Sequence, residues 1–281
     1  MSPFAVSDSL LENLLDDDHA LGDATTWALG IGDIPGRIIF RARHGQIACC
    51  TEEAARMGVM RNLQVEEAPV NTGTWVEAGT TLLALTGQAG VLHRVWKPAQ
   101  TLMEYAAGIA SATADLVQAA RRGNTQIAVA CTRKNFPGTK AISTKAILAG
   151  GAVPHRLSLS ETLLLFAEHR EFLGAETPSD TISRLHRIWP ERHVVVEVAD
   201  EAEASRWIVA GADVIQLEKC TPEIVAKVVR EAEGSKSRIA AAGGVNVGNA
   251  EAYARAGAHI LVSSWPYGAA ARDVAVTLEK Q

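Results

Sequence analysis

The chain has 281 residues, a formal charge of −5, 47% hydrophobic residues and only 5% aromatic ones. That length suits two modest domains or one α/β barrel with an appendage, with a core of Ala, Val, Leu and Ile large enough to need no staples. The acidity argues against a nucleic-acid surface, and the opening MSPFAVSDSLLENLLDDD, with no basic region and no long apolar run, reads as neither signal peptide nor membrane span. Cys49, Cys50, Cys131 and Cys220 include no CxxC pair, so neither a zinc site nor a disulfide framework is expected, and a reduced, cytoplasmic setting fits.

In chain order, Leu10, Leu11, Leu14 and Leu15 predict a short helix over 8–18, with Ser9 as its cap. The GDATT stretch at 22–26 reads as a turn or loop. Strand-like runs follow at 36–42, 46–50, 63–67, 81–86 and 90–95, interrupted by a helix over 52–61. The V-x-x-G-x-x-V-x-x-G-x-x-L spacing from Val70 is similar to a lipoyl-carrier hairpin, but no lysine occupies its turn, which counts against a carrier. One long helix is predicted over 97–122, with an apolar stripe and Gly123 as its stop.

After that helix the period changes. Strand-like runs at 127–130, 193–198, 213–217, 238–241 and 259–262 alternate with helical segments at 140–149, 158–168, 179–188, 201–210, 222–233, 247–256 and 267–278. Such alternation predicts βα units on a parallel sheet, and so many units in succession suit a barrel better than an open sheet. The expected division is an N-terminal domain over 1–110 and a barrel domain over 111–281, whose last helix returns towards the first domain.

Residues 130–156 hold Arg133, Lys134, Lys140, Lys145, His155 and Arg156 and no acid. A block of one sign in an acidic protein asks for an anionic ligand or acidic neighbours. In an α/β barrel the site lies at the carboxyl ends of the strands. Those positions hold Thr132, Arg133 and Lys134, then His155 and Arg156, Glu197, Glu218, the Gly243-Gly244 pair, and Ser263 and Ser264. Each has a bland reading too. The bases can be a solvated loop, His155 a core histidine, Glu218 a residue emerging into water, and the glycine pair a plain turn. Glu197, inside the run VVVEV, is harder to set aside, because a core carboxylate is rarely left unpaired. Taken together, these groups suit phosphate handling. Glycine loops offer N–H groups to a phosphate, two carboxylates can hold Mg²⁺ through ligand oxygens and waters, and arginines bind carboxylate or phosphate in bidentate fashion.

The motifs TRKxxPG at 132–138, GGxxxHR at 150–156, the acid of VEV at 196–198, the acid after VIQL, AGGV at 242–245, GDxTT at 22–26 and AAGIA at 106–110 resemble the nicotinate-nucleotide pyrophosphorylases, or quinolinate phosphoribosyltransferases, in order along nearly the whole chain. WKPAQTLMEYAAGIA, PHRLSLSETLLLFAEHR and SSWPY resemble the ModD branch of that family, associated with molybdenum transport. The resemblance implies an N-terminal α/β sandwich followed by an incomplete α/β barrel. It also implies a homodimer or higher homo-oligomer whose site the neighbouring subunit completes. The reaction it implies joins a pyridine dicarboxylate to phosphoribosyl pyrophosphate (PRPP) with Mg²⁺, losing pyrophosphate and CO₂.

Carried over by position, Thr132, Arg133, His155 and Arg156 bind the acid, and Lys134 reaches PRPP or its pyrophosphate. Glu197 and Glu218 face the ribose and Mg²⁺. Gly243, Gly244, Ser263 and Ser264 line the phosphate pocket, and Lys97 reaches into the partner's site. Phe166 stands where the quinolinate enzymes have a lysine, Lys97 where they have an arginine, Glu218 for an aspartate and Ser264 for a glycine. The phosphoribosyl half is thus kept and the acceptor half altered, so another aromatic or heterocyclic acid is the expected acceptor. The competing expectation is a PRPP- or oxyanion-binding accessory protein without turnover. Lys140 and Lys145, beyond the Pro-Gly turn, are expected on a solvated helix face.

Overall fold

The computed structural model describes residues 6–19 and 22–281; the expectation of no leader at the first five residues lies outside the described residues. In chain order the elements are α1 (Asp8–His19), α2 (Ala24–Leu29), β1 (Pro35–Ala42), β2 (Gln46–Ile47), α3 (Thr51–Met60), β3 (Gln64–Glu67), β4 (Trp75–Val76), β5 (Thr81–Gln88) and the long helix α4 (Ala89–Gly123). There follow β6 (Ala128–Cys131), α5 (Lys140–Ala149), β7 (Val153–Pro154), β8 (Leu163–Leu165), α6 (Ala167–Arg170), α7 (Pro178–Ile188), β9 (Val194–Val198), α8 (Glu201–Val209), β10 (Val214–Glu218), α9 (Pro222–Glu231), β11 (Arg238–Ala242), α10 (Ala250–Arg255), β12 (Ile260–Ser263) and β13 (Val274–Lys280). They form two compact units. The first comprises the described residues up to Ala114, Phe136–Gly151 and the segment from Pro266, and the second Asp115–Asn135 and Ala152–Trp265. The chain therefore re-enters unit 1 twice after α4, where the sequence reading keeps 111–281 together.

Unit 1 is an antiparallel sheet in the order β13-β1-β5-β3, with a small β2-β4 ribbon. Ile38, Phe40, Leu83 and Leu85 of the sheet share one core with Leu11 and Leu15 of α1, Ala54 and Met57 of α3, and Leu92, Val95, Ala99 and Met103 of α4. The α4 residues recur at three and four, so one stripe of that helix faces the sheet. Helix α5 packs closely on α4 at Gly150, where a Cβ would meet the Thr113 side chain and lie 2.5 Å from the Ala110 carbonyl oxygen. That close approach is the reason for this glycine.

Unit 2 is a curled parallel sheet in the order β7-β6-β12-β11-β10-β9-β8. Its two ends, β7 and β8, are not paired with each other, so it is a half-barrel. Ala204, Trp207 and Ile208 of α8, Val225 and Val228 of α9, and Tyr253 of α10 are buried on the helical side. The inner face carries Ala130, Ala240, Ala242 and Val262 as one small cluster. Barrel interiors are usually filled by layers of branched side chains. Here alanines stand at the inward positions and leave room for a cavity.

Several elements differ from the sequence reading. GDATT is not a loop: Asp23 caps α2, accepting from the Thr26 N–H at 2.7 Å. Ser7, not Ser9, accepts from the first turn of α1, at 3.3 Å from the Leu10 nitrogen. The 90–95 run is the start of α4, since Leu92 and Val95 continue the stripe of Ala99 and Met103. The 158–168 helix is instead an edge strand, with Leu163–Leu165 paired to Val194–Val196, followed by the one-turn α6. The last helix, 267–278, is β13, antiparallel to β1 and turning Val274, Val276 and Leu278 towards the unit 1 core.

Candidate functional site

All seven strands of the half-barrel end at one cavity of about 820 Å³. Thr132, Arg133 and Lys134 follow β6; His155 and Arg156 follow β7; Phe166 and Glu168 follow β8. Glu197 is the penultimate residue of β9, and Glu218 ends β10. Gly243 and Gly244 follow β11, and Ser263, Ser264 and Trp265 close the ring after β12. A parallel sheet puts the carboxyl end of every strand on the same edge, so residues scattered over more than a hundred positions meet.

The basic groups are not equivalent. Burial and the charge of Arg133 both push Arg156 down from its ordinary value. Its guanidinium lies over the Phe166 ring at 5.7 Å, and Phe166 stacks on His169 at 5.7 Å with 17° between the planes. His155 is pushed down to about 4, first by burial and then by Arg156, so at neutral pH it is uncharged. Its backbone N–H donates to the Cys131 carbonyl at 2.8 Å, which ties β7 to β6 at the rim. Burial holds the Cys131 thiol at about 12, leaving it no role as a thiolate.

The acids form a second group. Burial raises Glu197, and the charge of Glu218 adds to it; the hydrogen bond from Gln216 and the charge of Lys134 oppose them with less effect. The strand beneath Glu197 is braced by Arg170. One guanidinium nitrogen donates to the Glu197 carbonyl at 2.5 Å and another to Glu203 at 3.1 Å, while the guanidinium lies over the Trp207 ring at 5.8 Å. Among the described residues no group of three or more His, Cys, Asp or Glu side chains is placed to hold a metal ion. Glu197 and Glu218 alone make an incomplete shell, so a hard divalent cation here would draw its remaining oxygens from a ligand and from water.

The two small-residue loops are built to let backbone approach closely. Gly243 and Gly244 have φ of 80° and 86°. A Cβ on Gly243 would lie 2.6 Å from the Lys219 nitrogen and 2.7 Å from Glu218 Oε1. Lys219 is itself left-handed at φ 58°, and its N–H donates to the Ala242 carbonyl at 2.8 Å. Asn246 and Asn249 both donate to the Gly244 carbonyl, at 2.9 and 3.0 Å. The Ser263 hydroxyl donates to the Val245 carbonyl at 2.6 Å and accepts from the Trp265 N–H at 3.0 Å. It stitches the two loops together, and Ser264, which is exposed, is the serine open to a ligand.

Lys97 is the predicted site residue that does not line this cavity. It lies on α4 in unit 1, donates to Gln100 at 3.1 Å and sits 4.5 Å over the Trp96 ring. Conversely, Gln216 and Trp265 line the cavity without being singled out in the sequence, and Lys219 and Asn246, read there at strand ends but given no role, line it as well. Gln216 carried a usable signal: it is two residues before Glu218, hence on the same face of its strand. Arg170 carried none, because its partners are set by tertiary contacts.

Over residues 23–107 the sequence matches the family described as quinolinate phosphoribosyl transferase, N-terminal domain, and over residues 109–277 its C-terminal domain. The chain belongs to the quinolinate phosphoribosyl transferase family. Among related sequences of this family, the protein of Rhodobacter capsulatus named "Putative pyrophosphorylase ModD" is 44% identical over 255 residues, covering 90% of this chain and 98% of that one. A Pasteurella multocida protein of the same name is 37% identical over 279 residues, covering 98% of both. The nicotinate-nucleotide pyrophosphorylase of Francisella tularensis has the same fold, with a TM-score of 0.89 at 20% identity over 98% of both chains. The half-barrel and the N-terminal sheet domain are therefore the family's architecture. No helix among the described residues is long and apolar enough to cross a membrane.

Proposed function

We propose that this chain is a Mg²⁺-dependent phosphoribosyltransferase that joins an aromatic or heterocyclic carboxylic acid to PRPP. The observation that carries this reading is the shared cavity, in which Arg133, Lys134 and Arg156 meet Glu197 and Glu218. Cations suit an acid's carboxylate and a pyrophosphate; carboxylates suit a sugar whose anomeric carbon becomes positive as the leaving group departs. In the proposed step the bond from the anomeric carbon to the pyrophosphate oxygen breaks, and its electron pair leaves with pyrophosphate. A ring nitrogen of the acceptor forms the new bond to that carbon. For a quinolinate-like acceptor the bond between the ring carbon and the adjacent carboxylate then breaks, CO₂ leaves, and the ring carbon keeps the electron pair and takes up a proton from solvent.

In this scheme Arg133 and Arg156 hold the acceptor's carboxylate, with Thr132 and neutral His155 as hydrogen-bonding neighbours. Lys134 faces the pyrophosphate, and Glu197 stabilises the developing positive charge. The Gly243-Gly244 loop and Ser264 take the sugar's phosphate. Mg²⁺, when bound, neutralises charge on the departing group, and Glu197 and Glu218 are the residues that would hold it. Phe166 supplies an apolar ring face, which favours an acceptor with one carboxylate anchored at Arg156. The functional form proposed is a homodimer or higher homo-oligomer, with Lys97 acting on the acceptor bound by another copy.

The test is pyrophosphate release from PRPP and Mg²⁺ with a panel of acids that includes quinolinate. Release with at least one acid, reduced on the order of a hundredfold or more in Glu197→Ala, is the expected result. PRPP binding without turnover for any acid would instead support a PRPP-binding accessory protein, a reading that Phe166, an apolar ring beside Arg156 in place of a cation, favours.

A further inference from the structure

The half-barrel has a second cavity, of about 430 Å³, lined by residues at the amino ends of β8 to β12, the edge away from Glu197 and Glu218. In barrels of parallel strands that edge ordinarily serves stability, and part of this one does. Asp213 Oδ2 accepts from His186 Nε2 and from the Val194 N–H, both at 2.8 Å, and Oδ1 pairs with Lys236 at 3.1 Å. Burial raises Asp213, but these partners outweigh it and hold the carboxyl below its ordinary value. Asp213 is thus a brace with both oxygens engaged. Bracing does not account for the space beside it. Protein interiors are close-packed, yet Val195, Val214, Ala240 and Ile260 line a cavity whose volume lies in the range of small-molecule sites.

Arg238, which opens β11 and also lines this cavity, is no part of the brace. It is exposed, and its guanidinium has neither hydrogen bond nor ion pair among the described residues. Burial and then the charge of Arg238 push the neighbouring His259 down, so that charge is felt and not cancelled. Lys236, by contrast, is offset by Asp213. One positive charge is therefore left over at a cavity with four apolar residues, and His193 and Thr162 add hydrogen-bonding groups. We infer that this cavity is a second binding site, for a small monoanion with an apolar body, such as an aromatic carboxylate, whose charged end pairs with Arg238. A phosphate has no apolar part to set against Val195, Val214, Ala240 and Ile260, and its second charge would lack a partner. This site stands whether or not the chain transfers phosphoribosyl groups. His155 lines both cavities, so the two sites are neighbours and binding to each must be told apart.

The experiment is calorimetric titration of benzoate into the full chain carrying Arg133→Gln and Arg156→Gln, which removes those two cations from the first cavity. One equivalent of benzoate is expected to bind. Benzamide, with the same ring and no charge, is expected to bind about tenfold more weakly, the value of a charge-assisted hydrogen bond. Adding Arg238→Gln is expected to weaken benzoate by about the same factor and to leave benzamide unchanged. Inorganic phosphate is expected not to compete. Absence of benzoate binding before Arg238 is altered, or binding that Arg238→Gln leaves unchanged, overturns the site. Competition by phosphate overturns the assigned ligand class. Should the variants not fold, crystals of the unaltered protein soaked in 4-bromobenzoate decide. Bromine density is expected in the cavity beside Arg238, and density confined to the cavity beside Arg156 overturns the inference.

Discussion

His155 shows how far a single residue's role depends on its surroundings. In sequence it belongs to a run of bases, yet burial and the neighbouring Arg156 hold it at about 4, against an ordinary 6.5. At neutral pH it offers a hydrogen bond and no charge, so Arg133 and Arg156 carry the cationic work. The shift also has a consequence for stability. A histidine lowered on folding takes up its proton more readily in the unfolded chain, so protonation favours unfolding. The native state bears no penalty above pH 6.5 and loses stability as pH falls from there towards 4. The gap corresponds to roughly 3 kcal/mol when fully expressed. Urea denaturation at pH 7 and pH 4.5 should show His155→Gln losing roughly 2–3 kcal/mol less than the unaltered protein across that interval. Parallel losses in the two proteins would mean that His155 titrates normally.

Elements with both faces covered were the legible ones. The runs of β9, β10 and β11 are apolar apart from Glu197, Gln216, Glu218 and the exposed Arg238 that opens β11, and the first three mark the cavity. Of the edge strands, β3 was legible but β8 and β13 were not. β8 is three residues long, and β13 alternates Val274, Val276 and Leu278 beneath good helix formers, so local pattern lost to pairing with β9 and β1. Helix α5 was placed correctly, but one of its faces was misread. Lys140 is exposed as expected, whereas Lys145 is 5% exposed, with its ammonium 2.6 and 2.5 Å from the two oxygens of Glu53 and 3.3 Å from Glu52. Burial alone would lower Lys145; its hydrogen bond and charge pairing with Glu53 outweigh it and hold it above the ordinary value. The partner lies 92 residues away on α3, beyond any local signal. Within unit 1, then, α5 is pinned to α3 by a buried ion pair. Breaking one side strands a buried charge, so Lys145→Met should cost about 3–5 kcal/mol in chemical denaturation. Replacing both, as Glu53→Gln with Lys145→Met, should recover most of that loss. A double variant as unstable as the single one would show that packing, and not the unpaired charge, sets the cost.

For the whole molecule, the ring of rim residues was readable because a parallel sheet has one carboxyl edge, so strand order alone brings Arg133, Glu197 and Gly243 together. What strand order cannot supply is a residue from outside the half-barrel. Lys97 is such a residue: it is on α4, occupied with Gln100 and Trp96, and absent from the cavity lining. The proposed assembly gives it a task, since a site completed by a second copy needs a cation that its own unit does not provide. This separates two ways of losing activity. Lys97→Ala spoils what a subunit donates, while Glu197→Ala spoils what it keeps. Each variant alone should be nearly inactive in pyrophosphate release. Unfolding, mixing and refolding the two together should restore activity, because a mixed pair contains one site with both residues intact. Random pairing in a dimer yields on the order of a quarter of the original activity. No recovery after mixing, with size-exclusion chromatography showing that mixed oligomers had formed, would place Lys97 and Glu197 in the same subunit's site. A fully active Lys97→Ala would remove Lys97 from the reaction.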